Sequence, residues 1–583
     1  MKIKGADLII KALKEENIDK IFGYPGGYDI DIFDAIYNQD DVELILPRHE
    51  QGLIHAAEGY ARSTGKVGVC LVTSGPGATN LVTGIVDANY DSIPLVCFTG
   101  QVPTHVIGND AFQEVDIVGI TRGICKYSAT VRNRDDLGRM IKEAFYIAKT
   151  GKPGPVVLDL PSNVLKDFGD DTYPDKVDIR GYKPSSGVHM GQIKKAFALL
   201  DKSEKPLFLI GGGVNISGAN KEFEKLVDIT NIPVVTTIMG KGAIDTSHPL
   251  YIGNVGMHGS YACNKALNEC DVMFSIGTRF NDRVTGKLSE FAPNAKIIHI
   301  DIDSASISRN IVVDIPIVGD AKLAIEEMIP LAKKYNTHEW LEKIDNWDKE
   351  HPLKVDTSKQ QKDSISPQVI IEKINESFPD AIVVTDVGQH QMWTTQYIEM
   401  NENKKLITSG GLGTMGFGLP AAIGAQIGNP HKRVLCICGD GGFQMNIQEM
   451  ATAVQHELPI IIIIINNSFL GMVREMQHFF YNKKYSGTCL RKRKSCSNKC
   501  QFEEGKVPKS CPPYTPDFVK LAESYGAYGI RVDKEEDISS SFEKAKNNTD
   551  APTIIEILID FKENVLPIVQ GGKSLNDMII NEK

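Results

Sequence analysis

"IIIIIINNSFLGM", from Ile460 to Met472, is the stretch on which the fold turns. Six isoleucines in succession predict a strand buried on both faces, as in a parallel sheet covered by helices on either side. The run is too short for a membrane helix, which needs about 18 apolar residues. It ends on two amides, Asn466 and Asn467, and a small loop. Paired asparagines can simply terminate a strand. In sheets of this kind, however, ligands gather outside the carboxyl ends of strands, so the amides are also candidate ligands.

Directly upstream, "VLCICGDGGFQMNIQEMATAVQHELP" predicts a second buried strand, a Gly439-Asp440-Gly441-Gly442 turn and an amphipathic helix. Glycines let backbone N–H groups approach a phosphate, and a helix start offers its positive end. Asp440 brings a hard carboxylate oxygen and Asn467 a neutral amide oxygen. Together with a backbone carbonyl and phosphate oxygens they suit Mg²⁺, which favours octahedral oxygen ligation. Either piece alone reads as a turn or a strand end. The two at this spacing are far more specific.

Similar strand-like runs alternate with helical patterns along most of the 583 residues. "VGVCLVTSG", "PLVCFTG" and "PVVLDLP" form a first group. "PLFLIGGG", "PVVTTIMG", "DVMFSIGTRF" and "KIIHIDID" form a second. "AIVVTDVG", the two strands above and "TIIEILID" form a third. The pattern predicts three parallel-sheet α/β domains, 1–168, 188–350 and 366–565, with a tail at 566–583. Polar stretches at 169–187 and 350–367 read as linkers.

Composition is that of a globular chain, 42% hydrophobic and 24% charged. The net charge of -10 argues against nucleic acid or an anionic membrane as a partner. The amino-terminal stretch has helix-spaced Ala6, Ile9 and Leu13 rather than the pattern of a signal peptide, so the cytoplasm is the expected location. Of eleven cysteines, Cys70, Cys97, Cys125, Cys263, Cys270, Cys436 and Cys438 read as reduced core thiols.

"GDGG…NN" resembles the cofactor motif of thiamine-diphosphate-dependent enzymes. The resemblance implies that Asp440, Asn467 and the backbone oxygen of Phe469 hold Mg²⁺, and the metal the diphosphate. It assigns Gly388, Gln389 and His390 in "DVGQHQMW", with Gly439, Gly441, Gly442, Gly471 and Met472, to the diphosphate end. It assigns Gly413 and Met415 in "GGLGTMGFGLPAA" to the cofactor, Met415 as the apolar prop under the thiazolium ring. That stretch also contains G-x-G-x-x-G, a weak nicotinamide signal by itself.

Such a cofactor needs a carboxylate against N1′ of its aminopyrimidine. Glu50, in "RHEQG", fits that role, although an isolated glutamate there would equally suit a helix start. "IFGYPGG" and "TSGPGATN" resemble the remaining pyrimidine-side loops and contribute Tyr24, Gly26, Thr73, Gly75 and Asn80.

Over almost the whole chain the sequence resembles the large catalytic subunit of the acetohydroxyacid (acetolactate) synthase family. The stretches are "IFGYPGG", "RHEQG", "TGQVP", "GNDAFQE", "GKPGPVVLDLP", "RFNDRVTG" and "NNSFLGMVRE". That family decarboxylates pyruvate and transfers the hydroxyethyl unit to a second 2-keto acid, the first step of branched-chain amino-acid biosynthesis. Pyruvate as acceptor gives 2-acetolactate; 2-ketobutyrate gives 2-aceto-2-hydroxybutyrate. The resemblance implies a homodimer or a dimer of dimers, with the cofactor bridging two chains, and a small regulatory subunit.

It also implies FAD in a structural role, at Lys152, Gly211, Gly212, Gly213, Gly277, Arg279, Asp282, Asp301, Asp303 and Asp320. Strands ending in a Gly-rich turn or in acids suit a dinucleotide. Gln113 and Lys126 are implied in catalysis, with Phe112, Arg283 and Met476 lining the substrate channel. As isolated residues, Lys126 and Arg283 would be surface cations.

Three departures stand out. Asn281 takes the place of a usual Asp. Met476 takes the place of a tryptophan that favours the larger acceptor. Tyr28-Asp29 replaces smaller residues. An insertion from Cys489 to Cys511 adds Cys496 and Cys500 and a basic run, Arg491 to Lys494. Four cysteines can bind Zn²⁺, but the tight C-x2-C knuckle is absent and a solvated loop remains the plainer reading. The alternatives are a related 2-keto-acid decarboxylase, a pyruvate oxidase, a nicotinamide dehydrogenase resting on "GLGTMG", or nucleic-acid binding through the basic run.

Overall fold

The computed structural model describes residues 2–184, 187–354, 364–494, 496, 511 and 516–582. It contains three six-stranded sheets, each parallel throughout, and one antiparallel pair between Lys2–Lys4 and Phe168–Asp170. That pair takes in Gly169, which the sequence placed in a linker. The short strand closes the first sheet's region back onto its own amino end.

In spatial order the first sheet runs Glu43–Ile45, Lys20–Tyr24, Gly68–Val72, Leu95–Gln101, Pro155–Pro161 and Tyr127–Thr130. The third runs Lys405–Thr408, Ile382–Thr385, Val434–Gly439, Ile461–Asn466, Thr553–Leu558 and Tyr528–Val532. Counted along the chain, both are ordered 2-1-3-4-6-5. The middle sheet runs Tyr251–Asn254, Val234–Thr236, Pro206–Ile210, Val272–Ile276, Lys296–Asp301 and Ile315–Val318. Its order is 3-2-1-4-5-6, that of a dinucleotide-binding sheet. In each sheet the order reverses beside its first strand, and a crevice opens there at the carboxyl ends.

The isoleucine run behaves as its composition requires. Ile460 to Ile465 are all buried. Ile461, Ile463 and Ile465 enter one core cluster; Ile460, Ile462 and Ile464 enter another on the opposite face. Burying one such side chain contributes roughly 1.5–3 kcal/mol, so both faces hold this strand between Val434–Gly439 and Thr553–Leu558. The sequence predicted one amphipathic helix after the Gly-Asp-Gly-Gly turn. The structure has three pieces instead: Asp440–Phe443, a 3₁₀ turn at Ile447–Glu449 and Met450–Gln455. The break falls at Asn446, whose amide donates to the Gly416 carbonyl (2.7 Å).

The first and third sheets are joined by equivalent helices. Glu50–Thr64 connects strands two and three of the first sheet, and Gly418–Gly428 does so in the third. They cross so closely that a Cβ on Gly59 would lie 2.0 Å from the Ala421 carbonyl oxygen. One on Gly424 would lie 1.7 Å from that of Ala56. Backbone in a buried helix cannot yield, so Gly424→Ala is expected to cost about 3 kcal/mol or more, measured as a fall in the urea midpoint. An unchanged midpoint would mean that the helices do not meet this closely.

Candidate active site

In the third sheet the order reverses between Ile382–Thr385 and Val434–Gly439. Asp440 begins the short helix after the second of these, and its side chain is 1% exposed. Its Oδ2 has no hydrogen-bond partner. Burial and the nearby Glu556 push its carboxyl up to about 7, against a weaker opposing pull from Arg491. A buried carboxylate oxygen left without a donor is expensive, and a cation is what it lacks.

The next strand delivers the two asparagines, and the pleat separates their roles. Asn466 turns into the sheet, donating to Glu556 (2.7 Å) and accepting from the Ser468 N–H (2.8 Å). Asn467 turns the other way and donates to Gln389 Oε1 (3.1 Å). Gln389 is the first residue of helix Gln389–Tyr397 and also donates to Glu475. His390, beside Gly388 and Gly439, is buried and held neutral, its imidazole pushed down to about 3 by desolvation. A Cβ on Gly471 would lie 2.1 Å from Gln389 Oε1, which is why a glycine follows the loop. The Met415 methyl lies 3.7 Å from where a Cβ on Gly441 would be. Asp440, Asn467, Gln389, His390, Gly439, Gly441, Gly471 and Met415 therefore share one strand-end crevice. Phe469, two residues beyond Asn467, stacks on Phe561 (5.2 Å), and Met472 packs against the core.

The first sheet reverses at Lys20–Tyr24 and Gly68–Val72. Glu50 starts its helix with Oε2 accepting from Asn80 Nδ2 (2.9 Å). Gly26 approaches Thr73 so closely that a Cβ would lie 2.4 Å from it. Gly75 lies against the Gln113 backbone, and Gln113 has φ 60°, a strained conformation for a side-chain-bearing residue. Phe112 is 79% exposed, and its carbonyl accepts from Tyr28 Oη (3.1 Å). Tyr24, Gly26, Glu50, Thr73, Gly75, Asn80, Phe112 and Gln113 thus gather at this second crevice.

The middle sheet reverses between Pro206–Ile210 and Val272–Ile276, which end in Gly211–Gly213 and Gly277. Gly277 has φ 63° and packs against Gly213 with no room for a Cβ on either. Thr278 Oγ1, next along, is buried without a partner. Asp301 ends the neighbouring strand and accepts from the Asp303 N–H (2.8 Å). Lys152 lies 4.0 Å from Asp303, and Arg279 lies 3.9 Å from Asp91. Asp320 is committed elsewhere, capping helix Ala321–Met328 through the Lys322 and Leu323 N–H groups. The G-x-G-x-x-G of Gly411, Gly413 and Gly416 follows the edge strand Lys405–Thr408 rather than this crevice, which removes the support for a nicotinamide site.

Comparison with known proteins agrees with this layout. Three family descriptions match: thiamine pyrophosphate enzyme, N-terminal TPP binding domain, at 3–120; central domain, at 193–328; and C-terminal TPP binding domain, at 386–557. The chain is 40% identical to the acetolactate synthase isozyme 3 large subunit of Escherichia coli K12, covering 100% of this chain and 99% of that one. It is 44% identical to the probable acetolactate synthase large subunit of Methanococcus aeolicus, covering 99% and 95%. It is 44% identical to the acetolactate synthase large subunit of Cyanidium caldarium, covering 99% and 96%. The chain belongs to the acetolactate synthase family.

In this acetolactate synthase fold, other expected residues stand apart from the two crevices. Lys126 donates to the carbonyls of Ile147 and Thr150 and to Tyr182 Oη, at the carboxyl end of helix Leu137–Lys149. Burial and Lys152 push its ammonium down to about 8. Arg283, beside Asp282 on a short helix, is 3.6 Å from that carboxylate and faces the carboxyl-terminal segment near Gly571. Met476 is half-buried on helix Gly471–Phe480. Of the cysteine insertion, Cys489, Cys496 and Cys511 are half-buried, while Cys500 lies outside the described residues.

Sequence reasoning missed Glu449, whose carboxylate accepts from the Arg48 and His49 N–H groups (3.0–3.1 Å) and so sets the helix start that carries Glu50. It missed Glu475, which accepts from Gln389 and the Val565 N–H (2.8 Å). Neither has a local motif; each acts on residues far away in the chain.

Asp29 now has a setting. It is fully buried, one oxygen accepting from the Gly26 N–H (2.7 Å) and the other without a partner. Burial pushes its carboxyl from 3.8 up to about 7. A carboxyl that gains a higher pKa on folding contributes stability that is full below about pH 4 and lost as pH rises through about 7. Asp29→Asn is therefore expected to gain roughly 2–4 kcal/mol relative to the parent at pH 8 over pH 4.5, read from urea unfolding at both values. An equal effect at both would sink the burial argument.

Proposed function

We propose that this chain is the catalytic large subunit of an acetolactate synthase, combining pyruvate with a second 2-keto acid and releasing CO₂ in branched-chain amino-acid biosynthesis. The observation that carries the reading is the pair of equivalent crevices: Glu50 with Asn80 in one, Asp440 with Asn467 in the other, on two sheets of the same strand order. The family supports the activity and the thiamine diphosphate.

Thiamine diphosphate, when bound, supplies the nucleophilic carbon and the electron sink for decarboxylation. Glu50 would hold a proton at N1′ of the aminopyrimidine. The unpartnered Oδ2 of Asp440, the Asn467 amide oxygen and the Phe469 carbonyl would hold Mg²⁺ against the diphosphate, and that hard-oxygen donor set fits the ion. Met415, which lies beside Gly441, would support the cofactor's ring. Gln113 and Phe112 would orient the keto acid and exclude water; Lys126 and Arg283, which stand apart from both crevices of one chain, would draw its carboxylate only where a second copy brings them to the site.

FAD is proposed for the middle crevice. The strand order, the Gly213–Gly277 contact and the orphan Thr278 hydroxyl fit a dinucleotide there. Carboligation balances without a redox step, so FAD would serve structure. A second copy of the chain would complete each site; Phe112, Leu412 and Val473, beside the crevices, are 79%, 39% and 49% exposed and open to such a partner. The large-subunit names of the relatives support a small regulatory partner. The units 1–168, 188–350 and 366–565 are the proposed domains, and the cytoplasm the proposed location; no described helix is long and apolar enough to cross a membrane.

The test is product analysis of the full chain with thiamine diphosphate, Mg²⁺, FAD and pyruvate. Acetolactate with FAD still oxidised is expected. Acetaldehyde or acetyl phosphate would overturn the synthase reading. Met476→Trp is expected to shift the product ratio about tenfold toward 2-aceto-2-hydroxybutyrate when pyruvate and 2-ketobutyrate compete, since a flat ring adds apolar contact to the larger acceptor. An unmoved ratio would remove Met476 from the acceptor site.

A further inference from the structure

Between the first and third sheets lies a buried polar cluster that the proposed chemistry does not use. His55, Glu58 and Asp87 have ligand atoms within 4.8 Å of one another, and all three are fully buried. The grouping resembles a metal site, but Arg62 brings its guanidinium to 3.5 Å of Glu58 and 3.7 Å of Asp87. A second cation there would be repelled. Arg62 instead supplies the positive charge beside these carboxyls. His55 Nδ1 lies 2.9 Å from Glu58 Oε1. Burial first, and the charge of Asp87 second, raise the Glu58 carboxyl well above its usual range, while Asp87 Oδ2 faces Arg62.

The other oxygen of Asp87 reaches across to the third sheet. Asp87 Oδ1 accepts from Ser409 Oγ and from Thr414 Oγ1 (3.1 Å). Ser409 Oγ in turn accepts from the Gly413 N–H (3.1 Å) and the Thr414 N–H (2.9 Å). Its neighbour Asp91 accepts from the Gly410 N–H (3.0 Å) and pairs with Arg62 (2.8 Å). Arg62 also donates to the Thr408 carbonyl (2.8 Å) and lies 5.3 Å over the Phe417 ring. Two helices of the first sheet, Glu50–Thr64 and Val82–Asp91, thereby hold the turn 409–417 along its length. Gly413, at its outer tip, is exposed and Met415 half-buried, while Thr414 between them points inward.

We propose that Asp87 is a positioning residue for the cofactor: by gripping the Ser409 and Thr414 hydroxyls it sets the path of the Gly413–Met415 turn that seats the cofactor. This rests on the cofactor reading of that turn given above. It explains why two hydroxyls meet one buried carboxylate across this interface. It also couples the helix that carries Glu50 to the turn that carries Met415, because Arg62 and Glu58 stand on that helix.

The test uses the full chain with Mg²⁺ and thiamine diphosphate. Dissociation constants by calorimetry, the KM-against-kcat split for pyruvate and the unfolding temperature without cofactor are measured for parent, Ser409→Ala/Thr414→Val, Thr414→Ser and Asp87→Ala. The double variant is expected to bind thiamine diphosphate about tenfold more weakly, the factor carried by one or two ordinary hydrogen bonds. Its kcat should fall while KM for pyruvate and the cofactor-free unfolding temperature stay close to the parent's. Thr414→Ser should restore binding, and Asp87→Ala should follow the double variant. Unchanged cofactor affinity in the double variant would overturn the proposal. So would a loss that Thr414→Ser shares, or one that appears only as a lower unfolding temperature. A parent protein that binds no thiamine diphosphate would overturn the cofactor reading itself, which separates the two failures.

Discussion

Glu50→Gln is expected to lower kcat/KM for pyruvate by about 10²–10⁴, the usual contribution of a positioned proton-transfer group. Glutamine is isosteric and its Oε1 can still accept from Asn80, so the helix start and the crevice should survive. The Glu449 carboxylate that pins Arg48 and His49 is untouched. What glutamine cannot do is hold a proton at the cofactor's N1′. The loss should therefore appear in kcat with thiamine diphosphate affinity nearly unchanged, and exchange of the cofactor's C2 proton, followed by NMR, should slow in parallel. Activity within threefold of the parent would remove Glu50 from the chemistry.

Asp440→Ala is expected to weaken Mg²⁺-dependent thiamine diphosphate binding by more than about 100-fold, the upper range for groups that only support a metal ligand. The apo-protein should not suffer equally. Asp440 is buried with an oxygen unpartnered, and burial and Glu556 press its carboxyl up to about 7. At pH 8 the fold therefore carries an uncompensated charge that only a cation relieves. A ligand present at 100 times its Kd raises stability by about 2.7 kcal/mol, so the parent should gain a clear thermal shift with Mg²⁺ and cofactor. The variant should gain none, while its cofactor-free unfolding temperature at pH 8 matches or exceeds the parent's. A full shift in the variant would move the metal elsewhere.

The legible part of this molecule was local. Runs such as "VLCIC" and "IIIIII" are buried on both faces as their composition demands. The glycines at 439–442 mark a strand end at which a backbone must come close to something. Where reading by period failed, a distant partner was the cause. The helix after Gly442 breaks because Asn446 bonds Gly416, and Gly169 is paired because the chain's own amino end lies beside it. Lys126 was placed in catalysis by resemblance alone, and nothing near it in sequence announces the carbonyls of Ile147 and Thr150 that it bonds.

By itself the sequence determined three parallel α/β sheets, the strand ends where chemistry belongs and the donor types at those ends. These follow from side-chain period, volume and charge, which act over a few residues. Only the tertiary structure decided which strand ends are neighbours. It gave the first and third sheets one order and the middle sheet another, turned Asn466 into the core and Asn467 toward Gln389, and brought Glu449 to Arg48 and Asp87 to Thr414. Those pairings join residues from 78 to 401 positions apart. Their free energy comes from the packing of whole helices and sheets, which no local pattern encodes.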